Sequence, residues 1–571
     1  MTRVPGYLLW AVPAVAAAAA LAACGGGSSG SASALPQLAP ATPAALAFTC
    51  ADLPGKLTGL ANTTITASTL VAAGTLTVGG EPVPEHCLVT GNMFSRTSAV
   101  DGNTYAIGFE MRLPVVWNGR FFHQGNGGID GSVVAARGEL GGGPLTGALK
   151  QGFAVLSSDA GHAGALGPTF GIDPQARLDY GYQAVAKLTP MAKNLIKTAY
   201  AKGPDRSYFG GCSNGGRHAM IAATRYAADY DGVLAGAPGY NLPKAAIASI
   251  AGGQLYASVA TNPADLSTGF TTAERTLVAN AVLAKCDALD GATDGLVQDV
   301  AACRGAFDLQ RDVPSCTGAR DGTCLSDAQK TAIGKIYSGP TTSAGALVYA
   351  SFPYDAGVSG SGIPFWEFTA PLALDSGAVG MIFKVPPVAA AGFNGPAFTL
   401  GANIDDLVAQ INATNATYVE SGMSLMTPPT PSNMSALKNR GGKIIVYHGV
   451  SDPIFSVNDS EAWYQGLQAA NNGDASDFAR FYRIPGMGHC SGGPATDQFD
   501  ALSALVSWVE KGDAPGALTA SARGAGNAGG VNGDVPASWS ATRTRPLCPY
   551  PQVARYNGTG SLESASSFSC K

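Results

Sequence analysis

Charge is scarce in this chain. Asp, Glu, Lys and Arg make up 13% of its 571 residues, 40 acidic against 35 basic, for a formal net charge of −5. There is no Lys/Arg run and no basic stripe, which excludes the electrostatic footprint of a nucleic-acid binder. Histidine is rarer still, with six residues, so an imidazole base has few candidates. After the N-terminal run described below, no apolar segment is long enough to span a bilayer. Disorder is excluded by the 46% hydrophobic composition, although 75 Gly and 36 Pro promise a loop-rich fold. The length is ample for a large domain carrying an inserted one.

What is present begins with a segment that has the shape of an export signal. Arg3 precedes an apolar run from Tyr7 to Ala23 that Pro13 interrupts, a pattern too short for a membrane span. Leu21-Ala22-Ala23-Cys24 has the form of a bacterial lipobox, in which Cys24 becomes the lipidated first residue. Residues 1–24 are therefore expected to be a lipoprotein signal peptide, with an ordinary signal peptide and a chance cysteine as the competing reading. Residues 25–45 (GGGSSGSASALPQLAPATPAA) read as a flexible linker. The expected location is outside the cytoplasm, lipid-anchored at a bacterial outer membrane or cell surface, with no other membrane contact. Setting Cys24 aside leaves ten of eleven cysteines, an even number suited to an oxidising compartment. Four pairs close in sequence suggest themselves: Cys50 with Cys87, Cys286 with Cys303, Cys316 with Cys324, and Cys548 with Cys570. Cys212 and Cys490 are left over. Spacing alone does not prove connectivity.

Strand-like segments occur at 105–113, 152–158, 207–210, 443–448 and 481–484, with a further strand-like Arg120-Phe121-Phe122. Helical spacing of apolar residues marks 182–202 and 501–509. Strands alternating with helices predict an α/β fold with a mostly parallel sheet covered on both faces. The rhythm fades between about 241 and 435, a Gly-, Pro-, Ala- and Thr-rich stretch with four cysteines. Residues 241–435 are expected to be an inserted lid domain, and 46–240 with 436–571 the catalytic domain.

Gly211-Cys212-Ser213-Asn214-Gly215 fits G-x-S-x-G between a short strand and a helix. That placement puts a serine on a tight strand-to-helix turn, where small neighbours avoid clashes and the helix N-terminus offers N–H groups to an oxyanion. A plain Gly-rich turn is the alternative. A serine nucleophile needs a base and an orienting carboxylate, which this fold supplies in the order Ser, Asp, His. Asp452 follows the strand KIIVYH, and His489 follows FYRIPGMG. His448 and His218 are weaker bases because neither follows the final strand; His86, His123 and His162 precede the serine. Both leftover cysteines adjoin this set, Cys212 before Ser213 and Cys490 after His489, so a disulfide between them would tie nucleophile to base. For the oxyanion, Asn214 N–H is the expected first donor, and Gly127 or Gly128 in His123-Gln124-Gly125-Asn126-Gly127-Gly128 the second.

These stretches, GCSNGGRHAM (211–220), DYDGVLAGAP (229–238), HGVSDP (448–453) and GMGHC (486–490), resemble the tannase/feruloyl esterase family, which includes mono(2-hydroxyethyl) terephthalate hydrolase-like enzymes. The likeness extends from about Cys50 onward. It implies an α/β-hydrolase core with a large lid, the triad Ser213, Asp452 and His489, the five disulfides, and esters of aromatic acids (feruloyl, galloyl or terephthaloyl) as substrates. Another serine hydrolase chemistry, thioesterase or peptidase, and a non-catalytic surface-binding lipoprotein on a hydrolase scaffold are the competing functions. Lid aromatics Phe365, Trp366, Phe368, Phe383 and Phe393 can stack on an aryl ring or simply pack.

The lid segment 286–299 (CDALDGATDGLVQD) spaces carboxylates between Gly turns, a pattern that suits Ca²⁺ but not EF-hand spacing. A solvated acidic loop is the alternative. The family resemblance suggests Asp287, Asp290 and Asp294 as ligands, with the carbonyls of Ala292 and Leu296, in a structural role. No organic cofactor is expected, and the chain is expected to be a monomer.

Overall fold

A computed structural model describes residues 35–140 and 147–571. The expected signal peptide, Cys24 and residues 25–34 lie outside the described residues. The centre is a nine-stranded sheet. Its strands, in chain order, are β1 (Thr63–Val71), β2 (His86–Thr97), β3 (Thr104–Pro114), β4 (Arg120–Gly125), β5 (Ala154–Ser158), β6 (Arg206–Cys212), β7 (Gly232–Gly236), β8 (Lys443–Gly449) and β9 (Ala479–Ile484). Their spatial order is β9-β8-β7-β6-β4-β5-β3-β2-β1. The six strands from β9 to β5 run parallel, and β5, β3, β2 and β1 continue antiparallel.

The parallel strands read as continuous apolar runs because both faces are covered. Along β8, Ile444 and Val446 join one core, while Ile445 and Tyr447 join the other. Helices α1 (Ala184–Tyr200), α2 (Asn214–Arg225) and, after the insertion, α5 (Val457–Ala469) pack into the first core; α6 (Ala501–Lys511) packs into the second through Leu502, Leu505 and Trp508. Burying each large apolar side chain contributes roughly 1.5–3 kcal/mol.

The 206 residues between β7 and β8 place no strand in this sheet. They open with α3 (Leu242–Val259) and α4 (Thr272–Cys286) and build an apolar cluster around Val278, Val282, Leu325, Ile333 and Ile336. Farther on, Val379, Ile382, Leu407 and Leu425 merge with the first core of the sheet. Residues 35–571 accordingly form one compact unit.

The expected linker is corrected at its C-terminal end. Ala44 and Ala45 pair with Trp117 and Val116, Ala41 N–H donates to Glu510 at 2.9 Å, and Gln37 donates to Val509 O at 2.9 Å. A Gly/Ser tract running into Ala- and Pro-rich sequence reads as a tether; the contacts of Gln37 and Ala41 and the backbone pairing of Ala44 and Ala45 override that reading at its C-terminal end.

Candidate active site

β6 ends at Cys212, and the chain turns into α2 through Ser213, whose φ of 67° and ψ of −128° are unfavourable for a side-chain-bearing residue. Such strain costs about 1–3 kcal/mol and persists only where the surroundings enforce it. Here Ser213 N–H donates to Gly236 O at 3.0 Å, and Arg217 N–H donates to Ser213 O at 3.0 Å. The turn also needs Gly211: a Cβ there would lie 2.6 Å from Gly125 O. The constraint presents the Ser213 hydroxyl above the end of the sheet.

The loops after β8 and β9 converge on it. Ser213 Oγ lies 2.8 Å from His489 Nε2, and His489 Nδ1 lies 2.8 Å from Asp452 Oδ2. Asp452 is fully buried and well satisfied. Its Oδ1 accepts the N–H groups of Ile454 and Phe455 at 3.0 Å each, and His448 Nε2 lies 3.3 Å from Oδ2. Burial alone would raise its pKa, but the charge of His489 and the hydrogen bonds of His448 and His489 outweigh it, holding the carboxyl well below its usual range. An ionised Asp452 requires His489 to carry its proton on Nδ1, leaving Nε2 to accept from the serine. Cys212 and Cys490 are bonded, with Cα atoms 6.0 Å apart across 278 residues, and so link the nucleophile's turn to the base's loop. The four shorter pairs, Cys50–Cys87, Cys286–Cys303, Cys316–Cys324 and Cys548–Cys570, are also bonded.

Gly127 sits beside the nucleophile: a Cβ on it would lie 3.8 Å from Ser213 Cβ. Gly128, with φ 63°, faces open space. Asn214, next after Ser213, is buried and its side chain is fixed. Its Nδ2 donates to Asp130 Oδ2 at 2.7 Å, and its Oδ1 accepts from Arg217 Nε at 2.7 Å. His218 Nε2 lies 2.9 Å from the same Asp130 oxygen. Burial pushes Asp130 up to about 7, against the opposing pull of His162, Arg217 and Asn214. Sequence reasoning missed Asp130 and Arg217. The only sequence signal was charged residues on a helix entering a buried turn (NGGRH). His448 and His218, weighed as alternative bases, are instead neighbours of Asp452 and of Asn214.

The lid aromatics divide. Trp366 faces His489 edge-on, ring centroids 4.6 Å apart, with Phe455 at 5.3 Å on the same imidazole. Phe365 stacks edge-on against Trp366 and is exposed, Phe368 and Phe383 are core residues, and Phe393 packs on Phe398.

The acidic loop lies in the insertion and is closed at its base by Cys286–Cys303. Asp287 accepts the N–H groups of Asp294 and Gly295, and Asp290 Oδ1 accepts that of Ala292. Asp290 Oδ2 is buried with no hydrogen-bond partner. Burial, reinforced by the charges of Asp294 and Asp287 against the Ala292 N–H, pushes Asp290 up to about 7; Asp287 is raised for the same leading reason. Orphaned oxygen and mutual repulsion suit a hard cation. The three carboxylates are nonetheless not assembled as a ready cage. Among the described residues no group of three or more His, Cys, Asp or Glu is placed to hold a metal ion, and Asp294 is ion-paired to buried Arg545. The expected set, Asp287, Asp290 and Asp294 with the carbonyls of Ala292 and Leu296, is thus not preassembled, and within it Asp294 would share its charge with Arg545.

Residues 87–571 match the sequence profile of the family described as tannase and feruloyl esterase. The chain is 39% identical over 536 residues to a mono(2-hydroxyethyl) terephthalate hydrolase of Piscinibacter sakaiensis, covering 87% of each chain. It is 29% identical over 490 residues to a probable feruloyl esterase B-1 of Neosartorya fischeri, covering 81% of this chain and 82% of that one. Feruloyl esterase B from Aspergillus oryzae superposes with a TM-score of 0.71 at 24% identity, covering 91% of this chain and all of that one.

Proposed function

Since the chain belongs to the tannase and feruloyl esterase family and is a carboxylic ester hydrolase, we propose that it works through an acyl-enzyme on Ser213 and takes esters of aromatic acids. His489 removes the hydroxyl proton as Ser213 attacks the ester carbonyl, and Asp452 steadies the imidazolium. The N–H of Asn214 and one from Gly127 or Gly128 receive the oxyanion. His489 then protonates the departing alkoxide, and water, deprotonated by the same imidazole, releases the acid. The unbroken run Ser213–His489–Asp452, 2.8 Å at each step, carries this reading. The aromatic preference rests on Trp366 against His489 and on the names of the relatives. Hydrolysis of methyl ferulate, methyl gallate and mono(2-hydroxyethyl) terephthalate, set beside an aliphatic ester, a thioester and a peptide, tests it. Turnover confined to the last three sinks the substrate assignment.

The same reading takes the chain as exported and lipid-anchored through Cys24, acting as a monomer on a small ester. Cys24→Ser is expected to release it from the membrane fraction. Ca²⁺ in the 286–299 loop is proposed as a structural ion on Asp287, Asp290 and Asp294 with the carbonyls of Ala292 and Leu296. It would supply countercharge to the loop and take no part in the reaction.

A further inference from the structure

Asp355 belongs to the insertion, far in sequence from every triad residue, yet its carboxylate is buried at 2% exposure between the two loops that carry Asp452 and His489. One oxygen, Oδ1, accepts three donors. Ser451 Oγ, next to Asp452, is the first; Gly486 N–H, three residues before His489, is the second at 3.1 Å; Gly357 N–H of its own turn is the third at 3.1 Å. The two loops meet at the same place, where Ser451 N–H donates to Met487 O at 3.0 Å. The other oxygen, Oδ2, is buried without a hydrogen-bond partner.

A half-satisfied buried carboxylate is a poor device for stability, because its desolvation is not fully compensated. The close approach is specific as well. A Cβ on Gly357 would lie 2.5 Å from Ser451 Cβ and 2.6 Å from Gly486 O, so only glycine lets the insertion come this near. The seam continues beside it. Ser361 N–H donates to Asp534 at 3.1 Å, and Asp534 also accepts Gly493 N–H at 3.0 Å, just past Cys490.

We propose that Asp355 is a positioning residue: through Ser451 and Gly486 the insertion sets the relative placement of Asp452 and His489. Seating of the lid and alignment of acid and base are then one event, and catalytic competence depends on a lid residue that touches no substrate. This inference rests on the triad reading above.

The test compares Asp355→Asn, Gly357→Ala and the milder Ser451→Ala with the full-length parent, on one aryl ester. A misplacement of about 1 Å in a catalytic pair costs up to about 100-fold. Expected are a fall in kcat of about 10- to 100-fold for Asp355→Asn and Gly357→Ala, a smaller fall for Ser451→Ala, and an unchanged KM. The acidic limb of the kcat/KM profile, which reports the base of the free enzyme, is expected to move to lower pH, because a loosened Asp452 supports the imidazolium less. Labelling of Ser213 by a fluorophosphonate slows in step. Folded variants with parental kcat and an unmoved acidic limb overturn the proposal, as does a lowered Tm with no change in either. If Asp355→Asn does not accumulate as folded protein, Ser451→Ala decides by the same criteria. Ser213→Ala separates the two levels: if it stays active the triad reading itself fails, whereas an inactive Ser213→Ala beside fully active Asp355 variants removes only the positioning role.

Discussion

Two loop clusters in this molecule gather carboxylates in buried surroundings, and they are built on opposite principles. Around Asp452 every carboxylate oxygen meets donors: two backbone N–H groups on one, His489 and His448 on the other. The charge is held, and the carboxyl stays ionised far below neutrality. In the 286–299 loop, Asp287, Asp290 and Asp294 crowd one another, one oxygen of Asp290 is orphaned, and burial raises the pKa of Asp287 and Asp290. A disulfide staples each cluster, Cys212–Cys490 across two distant loops and Cys286–Cys303 around one. The first cluster is complete as it stands and suits chemistry that must not rearrange. The second leaves one oxygen of Asp290 without a partner even though Arg545 pairs with Asp294, and it is there that the proposed Ca²⁺ would act.

The largest effect expected from breaking the first cluster comes from its hydroxyl. Ser213→Ala should lower kcat by about a millionfold, and Asp452→Asn by about 10⁴-fold, with the fold intact by circular dichroism. The inequality is informative. Asp452→Asn keeps shape but loses the charge that fixes the imidazole tautomer, so a loss as large as that of Ser213→Ala would mean the loop itself had collapsed. Loss confined to KM in either variant would contradict the assignment.

The staple comes next. Replacing Cys212 and Cys490 together by Ala should cost about 2–5 kcal/mol of unfolding free energy, read from denaturant midpoints. Because the bridge joins the turn of Ser213 to the loop of His489, kcat should fall as well. The double Ala variant at Cys286 and Cys303 should show a comparable stability loss with kcat unchanged. Equal kinetic damage from both pairs would erase the distinction between the two clusters.

Much of the first cluster was legible in the sequence, and the reason is local. A β-branched run such as KIIVYH fixes a buried strand; the residue just past it must then sit in the loop cluster at the sheet's C-terminal edge, which is how Asp452 and His489 were placed. The strands that escaped notice lack that signature. β1 (TTITASTLV) is largely exposed and carries no clean alternation, β2 (HCLVTGNMFSRT) is broken by Gly91 and exposed towards its C-terminal end, and β7 (GVLAG) is short and Gly-rich. Asp130 beside Asn214, and Asp355 beside Ser451, were illegible for a different reason. Their partners lie 84 and 96 residues away, and no periodicity encodes a contact made by one side chain across a fold. The tether expectation fails at Ala44 and Ala45 because composition reports what a segment can do in isolation, while these two residues pair their backbone with Trp117 and Val116.

The smallest effect expected concerns the second cluster and is one of pH. A carboxyl whose folded pKa stands near 7 against an ordinary 3.8 binds more protons folded than unfolded in that interval. Unfolding free energy of chelator-treated protein should therefore fall as pH rises from about 4 to about 7, and stay low above it. Asp290→Asn removes the titrating group and should flatten that slope. Added Ca²⁺ should flatten it from the other side, by holding the carboxylates ionised, and should stabilise the parent by about 2.7 kcal/mol at a hundredfold excess over its Kd. The variant should lose most of that gain while keeping its kcat. A parent whose stability ignores Ca²⁺ at pH 8 would leave the loop an acidic turn paired to Arg545, and the contrast between a filled cluster and a waiting one would reduce to a difference in burial.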